Sequence, residues 1–103
     1  MRLSVRRGGG FAGIVARTDL DAEALQATDA AALAAEVDRA GLRARSDPPG
    51  GRTWPDSLLY DISLTDGSQE FRYRCSEESL PEGMRQLLAW IDARPERVES
   101  IEP

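Results

Sequence analysis

A chain of 103 residues, 41% hydrophobic and 30% charged, predicts one complete domain over residues 1–103 with a single modest core. Histidine is absent and Cys75 is the single cysteine, which excludes an internal disulfide, a His-based triad, histidine-ligated zinc and imidazole acid–base chemistry. The net charge of -5 argues against a nucleic-acid partner. No apolar run approaches the ~20 residues that span a bilayer, so no membrane partner is expected. Met1-Arg2-Leu3-Ser4-Val5 reads straight into a strand without an export signal, and the expected location is the cytoplasm.

All 13 basic residues are arginine, which with the abundant alanine reads as the imprint of a GC-rich genome. Residues 1–17 hold Arg2, Arg6, Arg7 and Arg17 and no acid, so this segment is basic and the remainder strongly acidic. Such asymmetry either steers encounter with a charged partner or reflects arginines paired with acids across a sheet.

Leu3 and Val5 alternate with Arg2, Ser4 and Arg6, the period-2 pattern of a half-buried strand. Gly8-Gly9-Gly10 then permits a tight reversal, because residues without Cβ enter left-handed space at little steric cost. Ala12, Ile14, Ala16 and Thr18 repeat the alternation on a second strand, and Leu20 and Leu25 are packing anchors beyond it. Thr28 or Asp29 can cap a helix whose inner stripe is Leu33, Val37 and Ala40, with Gly41 as its terminator. Residues 43–56, with two prolines followed by two glycines, form a long loop that carries Arg52 and Trp54.

The clearest strand follows, with Leu58, Tyr60, Ile62 and Leu64 on one face and Leu59, Asp61 and Ser63 on the other. Asp66-Gly67 is a two-residue hairpin signal, and the return strand puts Phe71, Tyr73 and Cys75 on one face. Ser79-Leu80-Pro81-Glu82 reads as a capping box with proline in the first turn. Met84, Leu87, Leu88 and Ile91 form the stripe of the closing helix, which Pro95 stops. Residues 96–103 are mostly charged and are expected to fray. The fold class is therefore α+β in the order ββαββα: an antiparallel sheet of about four strands with two helices on one face.

Few residues offer chemistry. The glycine cluster lacks the Gly-Lys-Ser/Thr ending of a phosphate loop and leads into a strand. Cys75, in phase with Phe71 and Tyr73, reads as a buried thiol, and Glu77 and Glu78 as carboxylates at the positive end of a helix. No nucleophile–base pair is present, so the chain is not expected to be an enzyme; it implies no cofactor and no resident metal. Phe11 either folds back onto the core or projects as an anchor for a partner pocket. Trp54 is either a lid over the sheet or a contact residue.

The strand entering Gly9-Gly10-Phe11-Ala12-Gly13 resembles the opening of the emfourin family. So do the segments that follow: a helix, a variable loop, the Leu58-Tyr60-Asp61-Ile62 strand, its return strand, and a Leu80-Pro81-Glu82 helix ending near Trp90-Ile91. The likeness spans residues 1–94 as a pattern, and only Gly9–Gly13 is specific residue by residue. It implies a small protein inhibitor of thermolysin-like (protealysin-like) zinc metalloproteases, typically encoded beside the protease in a bacterial genome. Such proteases favour a bulky apolar side chain just after the scissile bond, in a pocket beside the zinc. The resemblance makes Gly8, Gly9, Gly10, Phe11, Ala12 and Gly13, with Arg52 and Trp54, the candidate protease contacts. Inhibition could proceed by occluding the cleft or by placing a carboxylate, a backbone carbonyl or the N-terminal amine on the zinc. A non-inhibitory adaptor domain would use the same surface, and the oligomeric state is left open.

Overall fold

The computed structural model describes residues 1–8, 15–44 and 58–102. Seven main elements follow one another: β1 (Arg2–Gly8), β2 (Val15–Asp21), α1 (Ala27–Ala40), β3 (Leu59–Asp66), β4 (Gln69–Ser76), α2 (Glu82–Asp92) and β5 (Val98–Glu102). The strands form one antiparallel sheet in the order β4-β3-β1-β2-β5. The α+β class and the ββαββα succession are as the sequence predicts.

Alternation becomes layers because the pairing registers bring like faces together. Leu3 lies opposite Leu20 and Leu64, and Val5 opposite Thr18 and Ile62. Ile62 in turn faces Tyr73, and Leu64 faces Phe71. These side chains, with Cys75, meet Leu33, Val37 and Ala40 of α1 and Met84, Leu87, Leu88 and Ile91 of α2 in one buried cluster. Burial of that apolar surface, at roughly 25 cal/mol per Å², is the main force holding helices to sheet. The helices approach closely where α2 carries Gly83: a Cβ there would lie 2.9 Å from the Arg39 carbonyl oxygen.

Local signals are partly reassigned. Gly41 ends α1 at φ 70, its N–H shared between the Val37 and Asp38 carbonyls, and Leu42 then tucks into the core. The residue before α1 is Gln26, without a side-chain cap, so neither Thr28 nor Asp29 serves as cap. Both lie inside the first turn, where Asp29 favours the positive helix end. The β3–β4 turn centres on Gly67-Ser68, one residue later than Asp66-Gly67, because Asp66 still pairs with Gln69. Gly67 has φ 63 and Ser68 is not at positive φ, the pattern of a type II′ turn. Ser79 caps no helix either. Residues Glu77–Ser79 form a 3-10 turn that buries Leu80, and the helix begins after Pro81.

The largest departure is at the C-terminal end. In place of a frayed tail, Val98–Glu102 pairs with β2, making a fifth strand from Val15↔Glu102 to Asp19↔Val98. Its apolar side chains bury little, with Val98 62% and Ile101 66% exposed. Backbone pairing to the open edge of β2 is what orders it.

The face away from the helices is charged. Asp19 accepts hydrogen bonds from the Ser4 hydroxyl and Arg17 Nε, and Arg2 lies 3.7 Å away. Burial alone would raise the Asp19 carboxyl, but these partners outweigh it and hold its pKa below the ordinary value. A folded-state pKa below the unfolded one means stability that is present above the ordinary aspartate range and lost as pH falls through the folded value. Asp19→Asn is therefore expected to cost about 1–3 kcal/mol near neutral pH. In urea melts across the acid range, the gap from wild type should close as pH drops. A gap that stays constant with pH contradicts this role.

Candidate functional site

Of the candidate contacts, Gly8 ends β1 and is described. Gly9, Gly10, Phe11, Ala12, Gly13, Arg52 and Trp54 lie outside the described residues. The flanks of the two candidate segments are nevertheless informative. Gly8 pairs with Val15 on one side and with Leu59 on the other. Thus the chain leaves β1, re-enters at β2 and enters β3 at one end of the sheet. Leu58, the last step before β3, is fixed there by the Glu77 N–H on its carbonyl at 2.9 Å. The start of the long connection is at the opposite end, where Arg43 bonds Asp66 at 2.8 Å and stacks over Phe71.

This end of the sheet exposes apolar surface. Leu59 is 46% and Ile101 66% exposed, two of the three large hydrophobic side chains that are exposed among the described residues. Leu59 and Val15 flank Gly8, which has no side chain, so bare backbone lies between them on the outer face. On the helix side, Ile101 faces Ala16, also exposed although in phase with buried Thr18 and Leu20. The alternation of phase is intact there although burial is not.

The base of the hairpin is fastened by Arg7, the last side chain before the glycines. Its two terminal nitrogens donate to the Asp92 carboxylate at 3.0 and 2.8 Å, a bidentate pair across 85 residues of sequence. Its guanidinium also lies over the Tyr60 ring at 5.9 Å. Burial and the nearby Glu77 carboxylate push the Tyr60 hydroxyl above its ordinary pKa, so it remains a neutral platform. Exposed ion pairs are usually worth under about 1 kcal/mol, but a bidentate, ring-stacked arginine fixes direction as well as distance. The clamp ties the end of β1 to the end of α2.

Sequence patterns identify Gly8 but not Leu59, Ile101 or Arg7 as parts of this end. The outward phase of Leu59 is visible in the alternation of β3. Nothing local marks Ile101 or the partner of Arg7, because both depend on strand order. Cys75 is buried, as its phase with Tyr73 requires.

Residues 5–92 match the family model described as Emfourin. The solved structure of emfourin (M4in) from Serratia proteamaculans, described as an M4 family peptidase inhibitor, is similar to this chain at 18% identity and a TM-score of 0.49. The likeness covers 90% of this chain and 88% of that one. No curated protein matches the chain. With the family model spanning all but the outer part of β1 and the C-terminal strand, the chain belongs to the emfourin family.

Proposed function

We propose that residues 1–103 act as one inhibitory domain that binds a thermolysin-like, protealysin-like zinc metalloprotease and occludes its active-site cleft. The observation that carries this reading is membership of the emfourin family over residues 5–92. The chain acts by binding and not by turnover. The geometry supports a contact centred on the β1–β2 end of the sheet, where Gly8 is flanked by Val15 and Leu59 and braced by Arg7. A rigid base lowers the ordering cost of association. Phe11 and Trp54 are the proposed anchors, with Gly8, Gly9, Gly10, Ala12, Gly13 and Arg52 around them. The protease is proposed to be encoded nearby and met in a bacterial cytoplasm.

The test is residual activity of a purified thermolysin-like protease, preferably the neighbouring one, against rising amounts of this protein. Loss of activity at near-stoichiometric ratio is the expected result. Full activity, with the chain shown to be folded and the cognate protease used, would leave a non-inhibitory adaptor as the better reading.

A further inference from the structure

We infer that β5 is an exchangeable strand: it leaves β2 as a unit, and the edge it vacates takes up the β5 of a second copy of this chain. This property is independent of protease binding. Val98, Glu99, Ser100 and Ile101 are all exposed, and among the described residues none beyond Ile91 belongs to the buried cluster. β5 is thus held by its backbone ladder to β2 and not by packing. β2 keeps its place without it, since its other side pairs with β1 from Val15 to Asp21. Release of β5 therefore removes no side chain from the core.

The boundary between what stays and what moves lies within four residues. Arg94 belongs to the helices: its guanidinium lies over the Trp90 ring at 5.3 Å and donates to Asp29 at 2.9 Å. Arg97 belongs to the strand, its Nε donating to Glu99 at 2.9 Å. Between them Pro95 and Glu96 form a turn. Side chains hold that turn. Arg94 donates to Glu96 at 3.1 and 3.0 Å, and a terminal nitrogen of Arg97 donates to the Arg94 carbonyl at 2.6 Å. Pro95 has no N–H to lose and disfavours helical backbone at Arg94, so the turn can open without α2 growing into it.

The occupant is a second copy because β5 itself is the segment that fits this edge. Its register runs from Val15↔Glu102 to Asp19↔Val98, with Ala16 opposite Ile101 and Thr18 opposite Glu99. An exchanged strand makes the same five pairs, given and received, in a two-fold dimer. The Arg94 contacts with Trp90 and Asp29 lie on the fixed side and survive the exchange. What is forfeited is the turn, and with it the bond from Arg97 to the Arg94 carbonyl. A short tether gives the chain's own β5 an effective concentration on the order of millimolar, so exchange emerges as the protein approaches that range.

Two variants, Ala16→Cys and Ile101→Cys, read the exchange directly. The two positions are opposed and both are exposed. In a mixture of the two variants, one cysteine meets the other in disulfide geometry only when β5 of one chain sits on β2 of the other. The mixture is held at millimolar concentration, diluted to micromolar and oxidised at once, and the disulfide dimers are separated by mass. The dimer joining the two variants is expected at least about tenfold above either like-with-like dimer, because only it has the opposed geometry. Arg97→Ala in both chains loosens the turn of the closed monomer and should raise that yield several-fold. A mixed dimer no more abundant than chance collision gives, with both variants shown folded, overturns the inference. So does a yield that Arg97→Ala leaves unchanged.

Discussion

Phe11→Ala should weaken inhibition of a susceptible thermolysin-like protease by roughly 30-fold or more, the scale of an interface anchor worth about 2 kcal/mol. Gly8, Val15 and Leu59 fix where the β1–β2 connection leaves the sheet. Phe11 is the one large aromatic side chain between Gly8 and Val15, and thermolysin-like clefts prefer bulky apolar groups. Truncation removes that group and leaves every glycine of the segment in place. Trp54→Ala tests the second anchor in the same assay. Circular dichroism should show both variants folded. If both inhibit as well as wild type, the contact lies elsewhere on the molecule.

Leu87→Ala carries the largest expected effect on stability, a loss of about 2–5 kcal/mol. Leu87 is 0% exposed and sits in the stripe of α2 that faces the sheet. Alanine keeps the helix propensity, so the cost is lost burial plus the cavity left behind. For a domain near this size each kcal/mol lowers the melting temperature by roughly 4–8 °C, so a drop of about 10 °C or more is expected by calorimetry. Gln86, one residue earlier and exposed, is the control; its alanine variant should stay within about 0.5 kcal/mol of wild type. Equal melting of the two variants would mean that α2 is not packed as described.

The core was legible because burial acts through periodicity. Leu3, Val5, Ile62, Leu64, Tyr73 and Cys75 obey period two, and Leu33, Val37, Met84, Leu87 and Ile91 the helical repeat; all are buried. The features that escaped are those decided between distant segments. Val98–Glu102 has no inner stripe of its own and becomes a strand only because β2 offers an open edge. Ser79 fits a capping pattern, but burial of Leu80 takes the backbone through a 3-10 turn first. That the chain reverses between Gly8 and Val15 was readable from composition. That β3 begins beside it was not, since this depends on β1 lying between β2 and β3. The Arg7–Asp92 clamp depends on the same order.

β1 comes first in the chain yet occupies the middle of the sheet. Its pairing with β2 is local, whereas its pairing with β3 joins Arg2 to Thr65 and Gly8 to Leu59. Half of its ladder must therefore wait for chain made much later, and folding should be slower than for an all-helical protein of this length. During synthesis the first hairpin emerges with one side unpaired, the condition in which strands adhere to one another. Its four arginines outnumber its two acids, Asp19 and Asp21, which gives nascent copies a reason to repel. The basic character of residues 1–17 thus has a use before the native state exists, as protection for a central strand that begins life as an edge.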